Sequence, residues 1–293
     1  MQLTIITPTY NRVRTLERCY QSLCAQTNKD FVWMIVDDGS TDDTQAWVQT
    51  KVATGDLTIQ YFYKSNGGKG TALNLALDHL TTPYAVCLDS DDIFFPHAVE
   101  QALDLLATIV TDSDYCGVIA LKSWLDGKVT GDKKLPAQVT AVTAADIFLK
   151  YCPRAEVTCF YKTQYLQKQR FPIFPGETMI SPAWMQYTVS QTRRFKVCHG
   201  QVCGCEYQAD GTTNNIRRII MQNPYSYVAV KRFSFNLSST WSQRIKHGLC
   251  FTYGCLLAQD RSLLQTSQHT LLVYILLPVA KALYWSRTRK EKG

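Results

Sequence analysis

Asp89 and Asp91 follow an apolar run, Tyr84–Leu88, and stand two positions apart. In extended backbone, residues i and i+2 point to one face, so the two carboxylates converge while Ser90 points away. Carboxylates held together repel each other unless a cation lies between them. An all-oxygen ligand set suits Mn²⁺ or Mg²⁺, with diphosphate oxygens completing the shell. Taken alone, the pair serves equally well as an acidic cap for the helix after Pro96. Asp37 and Asp38 end a second apolar run, Phe31–Val36, and can accept from a base N–H and a ribose hydroxyl. A plain Asp-Asp-Gly turn is the other reading. Asn66, Gly68 and Lys69 offer backbone N–H groups and one cation along a phosphate path, or an ordinary loop with a solvated lysine.

These residues need a scaffold, and the first 120 positions supply one. Apolar, β-rich runs at Leu3–Thr7, Phe31–Val36, Leu57–Tyr63, Tyr84–Leu88 and Cys116–Leu121 alternate with helical spacing, such as Val13, Leu16, Cys19, Tyr20 and Leu23. Ser40 reads as the cap of one of those helices. Alternation of this kind predicts an α/β fold, a mostly parallel sheet with helices on both faces. Ligands of open α/β sheets bind outside the carboxyl ends of the strands, where Thr7, Pro8, Thr9 and Tyr10, Asp37 and Asp38, and Asp89 to Asp92 all fall. No Gly-x-Gly-x-x-Gly follows the first strand and no Walker-type loop occurs, which excludes dinucleotide and P-loop readings.

The chain has 293 residues and a formal charge of +7, unevenly spread. Residues 1–150 hold 12 basic and 18 acidic side chains, residues 151–293 hold 19 and 6. An acidic front suits a cation site and a basic rear suits a polyanionic surface. The eleven cysteines lie mostly in apolar runs and read as small buried hydrophobes of a reducing compartment. No signal peptide is expected at the N-terminus. Leu271–Ala280 is too short for the roughly 17–25 residues of a membrane span.

Taken together, Thr7-Pro8-Thr9-Tyr10-Asn11, Val36-Asp37-Asp38-Gly39-Ser40-Thr41-Asp42, Asn66-Gly67-Gly68-Lys69-Gly70 and Leu88-Asp89-Ser90-Asp91-Asp92 resemble the successive signatures of family 2 glycosyltransferases. The resemblance covers roughly the first 125 residues. It implies the GT-A fold, inversion at the anomeric carbon, a nucleoside-diphosphate sugar donor (most often a UDP-sugar) and a divalent metal. By match to the motifs, Pro8, Thr9 and Tyr10 line the nucleotide pocket and Asp38 binds uracil. Asp89 touches the ribose or the metal-bound shell, and Asp91 ligates the metal. Thr7, Asp37, Asn66, Gly68, Lys69 and Ser90 complete the expected nucleotide-sugar surface.

The later half resembles bacterial members that build surface polysaccharide, through Phe171-Pro172, Gly176-Glu177, Glu206-Tyr207 and Asp210-Gly211-Thr212. Relatives place a second acid five positions after Glu177, where this chain has Pro182. Glu177, the acidic residue remaining in that loop, is the expected catalytic base.

Three regions follow: a nucleotide-sugar half at 1–125, an acceptor half at 126–213, and a helical, basic region at 214–293. In the last, Leu272, Ile275, Leu276, Val279 and Leu283 form a stripe before Trp285, Arg287, Arg289, Lys290 and Lys292. That pattern suits a helix lying on an anionic membrane surface. The basic charge lacks the interleaved aromatics of single-strand nucleic-acid binders, so no nucleic acid is expected. The sequence therefore reads as a cytoplasmic, peripheral-membrane glycosyltransferase acting on a lipid-linked glycan. A nucleotidyltransferase on a similar sheet and a catalytically silent nucleotide-binding scaffold are the alternatives.

Overall fold

The computed structural model describes residues 1–131, 133–206 and 215–289. Tyr207, Asp210, Gly211, Thr212, Lys290 and Lys292 lie outside the described residues. The chain divides into two compact units, Met1–Phe171 with Met185–Ala209, and Pro172–Trp184 with Asp210–Gly293.

The first unit opens with β1 (Leu3–Thr9), α1 (Val13–Cys24), β2 (Phe31–Asp37), α2 (Thr44–Thr54), β3 (Ile59–Tyr63) and α3 (Lys69–Asp78). It continues through β4 (Tyr84–Cys87), β5 (Ile93–Phe94), α4 (Ala98–Ala107), β6 (Tyr115–Leu121), β7 (Ser123–Trp124) and β8 (Ala141–Val142). Then come β9 (Val157–Lys162), α5 (Thr163–Leu166), α6 (Ala183–Val189), β10 (Arg194–Cys198) and β11 (Cys203–Cys205). The main sheet runs β3-β2-β1-β4-β9-β6-β10-β8, and a small second sheet runs β5-β11-β7.

β1 pairs in parallel with β2 and β4, and β2 with β3. All seven residues of β1 and of β2 are buried, as continuous apolar strands covered on both faces require. β9 lies antiparallel between β4 and β6. That reversal brings the start of β9 to the same sheet edge as the end of β4. Trp33, Phe94, Phe160 and Leu106 belong to the core beneath.

One sequence-based expectation about the first helices changes. Ser40 does not cap α2: its hydroxyl accepts the backbone N–H of Asn11 at 2.8 Å, and the helix starts at Thr44, whose N–H donates to Asp42. β10 and β11, close in sequence, lie in different sheets. The cysteines are all free thiols, most of them buried.

The second unit is helical: α7 (Ile216–Gln222), α8 (Pro224–Asn236), α9 (Trp241–Leu257) and α10 (Thr270–Arg289). Thr240 and Gln243 form a reciprocal capping box at the start of α9. Val228, Phe235, Phe251, Cys255, Leu264 and Val273 form its core. The apolar stripe of α10 is not one face, because the helix is apolar nearly all round. Val273, Leu276 and Ala280 point inward at 9% exposure or less. Leu271, Ile275, Val279 and Trp285 point outward, exposed by 77%, 63%, 52% and 63%. Leu276 therefore packs on its own unit and offers nothing to a membrane. Among the described residues, no helix is long and apolar enough to cross a bilayer.

Candidate functional site

Three strand ends, β1, β2 and β4, present their polar residues at one edge of the sheet. At the end of β1, Pro8 and Thr9 are buried and Tyr10 is exposed. Thr7 is spent on structure, its hydroxyl accepting from the Trp33 indole at 2.8 Å. The hydroxyl of Thr9 is buried with no hydrogen-bond partner among the described residues. Asn11 adopts φ 51°, and its side-chain oxygen accepts the N–H of Thr41 at 2.8 Å, tying the first loop to the second.

At the end of β2 the two aspartates divide their work. Asp37 is fully buried and accepts from the Tyr61 hydroxyl at 2.8 Å and the Ser40 N–H at 2.7 Å. Asp38 gathers the glycine loop around itself. Its carboxylate accepts from Lys64 Nζ at 2.6 Å and from the N–H groups of Gly67 and Gly68 at 3.0 and 2.7 Å. Asn66 donates to the Asp38 carbonyl at 2.9 Å. The loops meet so closely that only glycine fits at 39, where φ is +85° and an added Cβ would lie 2.7 Å from Asn66 N.

At the end of β4 the acidic residues have different partners. Lys69, the first residue of α3, donates to Asp89 at 2.5 Å. Lys122, directly after β6, pairs with Asp92 at 2.5 Å and lies 3.9 Å from both Asp89 and Glu156. Burial pushes the Asp89 carboxyl up, but Lys69 and Lys122 outweigh it and hold the group well below the usual carboxylate range. Asp92 is 5% exposed, and burial pushes its pKa up to about 6. Burial also opposes the charge on Lys122, yet Asp92, Asp89 and Glu156 keep it a cation far above ordinary pH. Ser90 is buried between its neighbours.

Asp91 differs from both neighbours. Its half-buried carboxylate makes no hydrogen bond or ion pair among the described residues. Its backbone oxygen accepts from Arg18 Nη2 at 2.6 Å, and Arg18 Nη1 holds Glu206 at 2.6 Å. The described residues contain no group of three or more His, Cys, Asp or Glu able to hold a metal by themselves. A cation here would rely on Asp91, with Asp89 adjacent, and on oxygens brought by a ligand. Hard oxygen donors of that kind fit Mg²⁺ or Mn²⁺.

The structure thus brings together Thr9, Asp37, Asp38, Asn66 and Gly68 as one cluster, and Lys69, Asp89 and Asp91 as another. Glu177 belongs to the second unit. Its two carboxylate oxygens accept the N–H groups of Tyr225 and Ser226 at 2.7 and 2.8 Å, the unpaired donors in the first turn of α8. Arg18, Lys64, Lys122 and Glu156 were missed by sequence reasoning. Lys122 carried a usable signal, being the polar residue at the carboxyl end of a buried strand.

Residues 4–128 match the profile described as glycosyl transferase family 2. An uncharacterized glycosyltransferase of Rickettsia felis is 36% identical over 105 residues, 36% of this chain. The chain spans 17% of that relative's length. Among solved structures, S. aureus TarS 1–349 in complex with UDP-GlcNAc superposes with a TM-score of 0.59 at 19% identity, covering 99% of this chain and 92% of that one. The mannosyltransferase PcManGT from Pyrobaculum calidifontis, in complex with GDP-Man and Mn²⁺, gives 0.55 at 19%, covering 96% and 80%. The shared architecture is the α/β GT-A fold, a mostly parallel sheet flanked by helices.

Proposed function

We propose that the chain, whose residues 4–128 match the glycosyl transferase family 2 profile, transfers a sugar from a UDP-sugar to a hydroxyl of a lipid-linked glycan, with inversion. The observation that carries this reading is the Asp91 carboxylate, unpaired among the described residues and set beside a Lys69–Asp89 pair at the strand edge where α/β sheets bind ligands. The UDP-GlcNAc of TarS and the GDP-Man with Mn²⁺ of PcManGT support a nucleotide-sugar donor and a divalent cation.

In this reading the base and ribose lie over the Thr9–Tyr10 and Asp37–Asp38 loops. The buried Thr9 hydroxyl is an unused polar atom there, and Asp38 trades part of its loop contacts for the base N–H. Lys69 faces the phosphates, whereas the Gly67 and Gly68 N–H groups, expected from the sequence on the phosphate path, are taken by Asp38. A divalent cation held by Asp91 and diphosphate oxygens would neutralise the charge that the leaving diphosphate acquires. Arg18 fixes the backbone of Asp91, so that this carboxylate is held ready rather than reorganised on binding.

The acceptor is read from the second unit's charge and its α10 face. Residues 211–293 carry 12 basic and 2 acidic side chains. The outward side chains Leu271, Ile275, Val279 and Trp285 form an apolar strip near the exposed Lys281 and Arg287. A basic, apolar, Trp-bearing surface of this kind suits the cytoplasmic face of an anionic membrane, where a lipid-linked acceptor resides.

The test is thermal shift and UDP release with a panel of UDP-sugars in Mn²⁺. One sugar nucleotide should raise the melting temperature and release UDP, since a ligand of the folded state stabilises by mass action. A retained scaffold would bind without release. A chain indifferent to every nucleotide would overturn the reading.

A further inference from the structure

An inverting transfer needs a carboxylate to take the acceptor proton, and the acids of this chain differ in what they are free to do. Asp89 is bound to Lys69 and Asp92 to Lys122, each at 2.5 Å. Glu206 is held by Arg18 at 2.6 Å, and both oxygens of Glu177 are filled by α8 backbone N–H groups. Glu156 stands apart. Among the described residues its one ion pair, with Lys122, is 3.9 Å long, and its side chain is 37% exposed.

Its position follows from the fold. Because β9 runs antiparallel to β4 and β6, its start, and with it Glu156 immediately before Val157, arrives where those strands end. The Lys122 N–H donates to the Glu156 carbonyl at 2.8 Å, which fixes the two side by side. The Thr130 hydroxyl accepts the Glu156 N–H at 2.9 Å, so the backbone is anchored while the carboxylate is not. Lys69, Asp89, Lys122 and Glu156 therefore form a chain of alternating charge running from the start of α3 to the start of β9, with Asp91 in the loop beside it.

We infer that Glu156 is the general base of the transfer, a role that rests on the proposed glycosyltransferase reaction. The acceptor O–H proton passes to the Glu156 carboxylate as the acceptor oxygen bonds the anomeric carbon. The bond from that carbon to the diphosphate oxygen breaks, and its electron pair leaves with UDP. Glu156 then returns the proton to solvent. Lys122, 3.9 Å from the carboxylate, holds a fixed positive charge beside it.

The experiment compares wild type, Glu156→Gln and Glu156→Asp for UDP affinity in Mn²⁺, melting temperature, and turnover of the UDP-sugar that wild type consumes. Glu156→Gln should bind UDP within about twofold of wild type while turnover falls by roughly 10²–10⁴, the range for a lost general base. Glu156→Asp, which retains the charge but sets it back by one methylene, should recover part of that loss. Matching UDP affinity with turnover down less than about tenfold, below that range, overturns the assignment and leaves the glycosyltransferase reading intact. Loss of UDP affinity in both variants would also overturn it, placing Glu156 in the donor site instead. A wild type that neither binds UDP nor releases it overturns the reaction and the base together.

Discussion

Arg18 joins two loops that the sequence keeps far apart, with Nη2 2.6 Å from the backbone oxygen of Asp91 and Nη1 2.6 Å from Glu206. Only a planar fork can serve both at once. The pair with Glu206 is substantially exposed, 35% and 54%, so it adds little to stability, under about 1 kcal/mol. Its effect should fall on Asp91. Arg18→Lys should leave the melting temperature nearly unchanged and weaken UDP binding in Mn²⁺ several-fold, because an ammonium is a point charge that cannot span both partners. Isothermal titration with and without Mn²⁺ checks this, and unchanged affinity in Mn²⁺ would show that Asp91 needs no clamp.

Glu177 caps α8, and its replacement should read as a stability change. Glu177→Gln keeps one acceptor oxygen but loses charge at a helix N-terminus. Losing such a cap costs about 0.5–2 kcal/mol. Turnover measured well below the new melting temperature should stay within a few-fold of wild type. A fall of a hundredfold or more with full UDP binding would return the catalytic base to Glu177.

The two faces of α10 should separate by experiment. Ile275→Ser with Val279→Ser removes exposed apolar area and should leave the melting temperature unchanged. It should reduce co-sedimentation with anionic vesicles by at least about tenfold, at roughly 1.5–3 kcal/mol per buried aliphatic side chain. High salt should weaken wild-type binding as well. Leu276→Ala should instead cost about 2–5 kcal/mol of stability, as buried truncations do. Equal sedimentation of the double variant and wild type would remove the membrane from the account. Concentration-dependent dimers that vanish in the double variant would assign the strip to a second copy.

His247 gives the second unit a pH dependence. Burial and then the charges of Lys231 and Lys246 push its pKa from 6.5 down to about 4, and its Nδ1 is buried without a partner. The unfolded chain binds the proton first as pH falls, so stability rises with pH between about 4 and 6.5 and is lost on acidification through that window. His247→Gln should flatten the melting-temperature profile there relative to wild type. Asp92, pushed up to about 6, has the opposite slope in the same region and is unchanged in both proteins, so it cancels in the comparison. Parallel profiles would show that His247 titrates normally.

The fold was readable where strand chemistry is plain. The buried runs at β1, β2, β4 and β6, complete in the first two, announce a covered sheet, and their polar ends announce the site. β9 was legible as a strand, but not as the antiparallel insertion that carries Glu156 to the β4 edge, because pairing direction leaves no mark on apolar spacing. Partnership was also hidden. Asp38 and Asp91 look alike in sequence, yet the carboxylate of one is filled by Lys64 and the glycine loop while that of the other has no hydrogen bond or ion pair among the described residues. Arg18 falls among surface-type residues of an amphipathic helix, and only tertiary structure shows what it reaches. The α10 stripe misled because a helix apolar all round has no periodicity from which to choose its inner face.

In the proposed reaction Asp91, without a hydrogen bond or ion pair on its carboxylate among the described residues, takes a cation that binds together with a diphosphate. Titrating UDP into wild type and Asp91→Asn, each with and without Mn²⁺, tests it most directly. Mn²⁺ should tighten UDP binding to wild type by about tenfold or more, a gain of at least roughly 1.4 kcal/mol, and should do nothing for the variant. Without metal the two proteins should bind UDP alike. Equal UDP affinity of wild type and Asp91→Asn in Mn²⁺ would contradict the account.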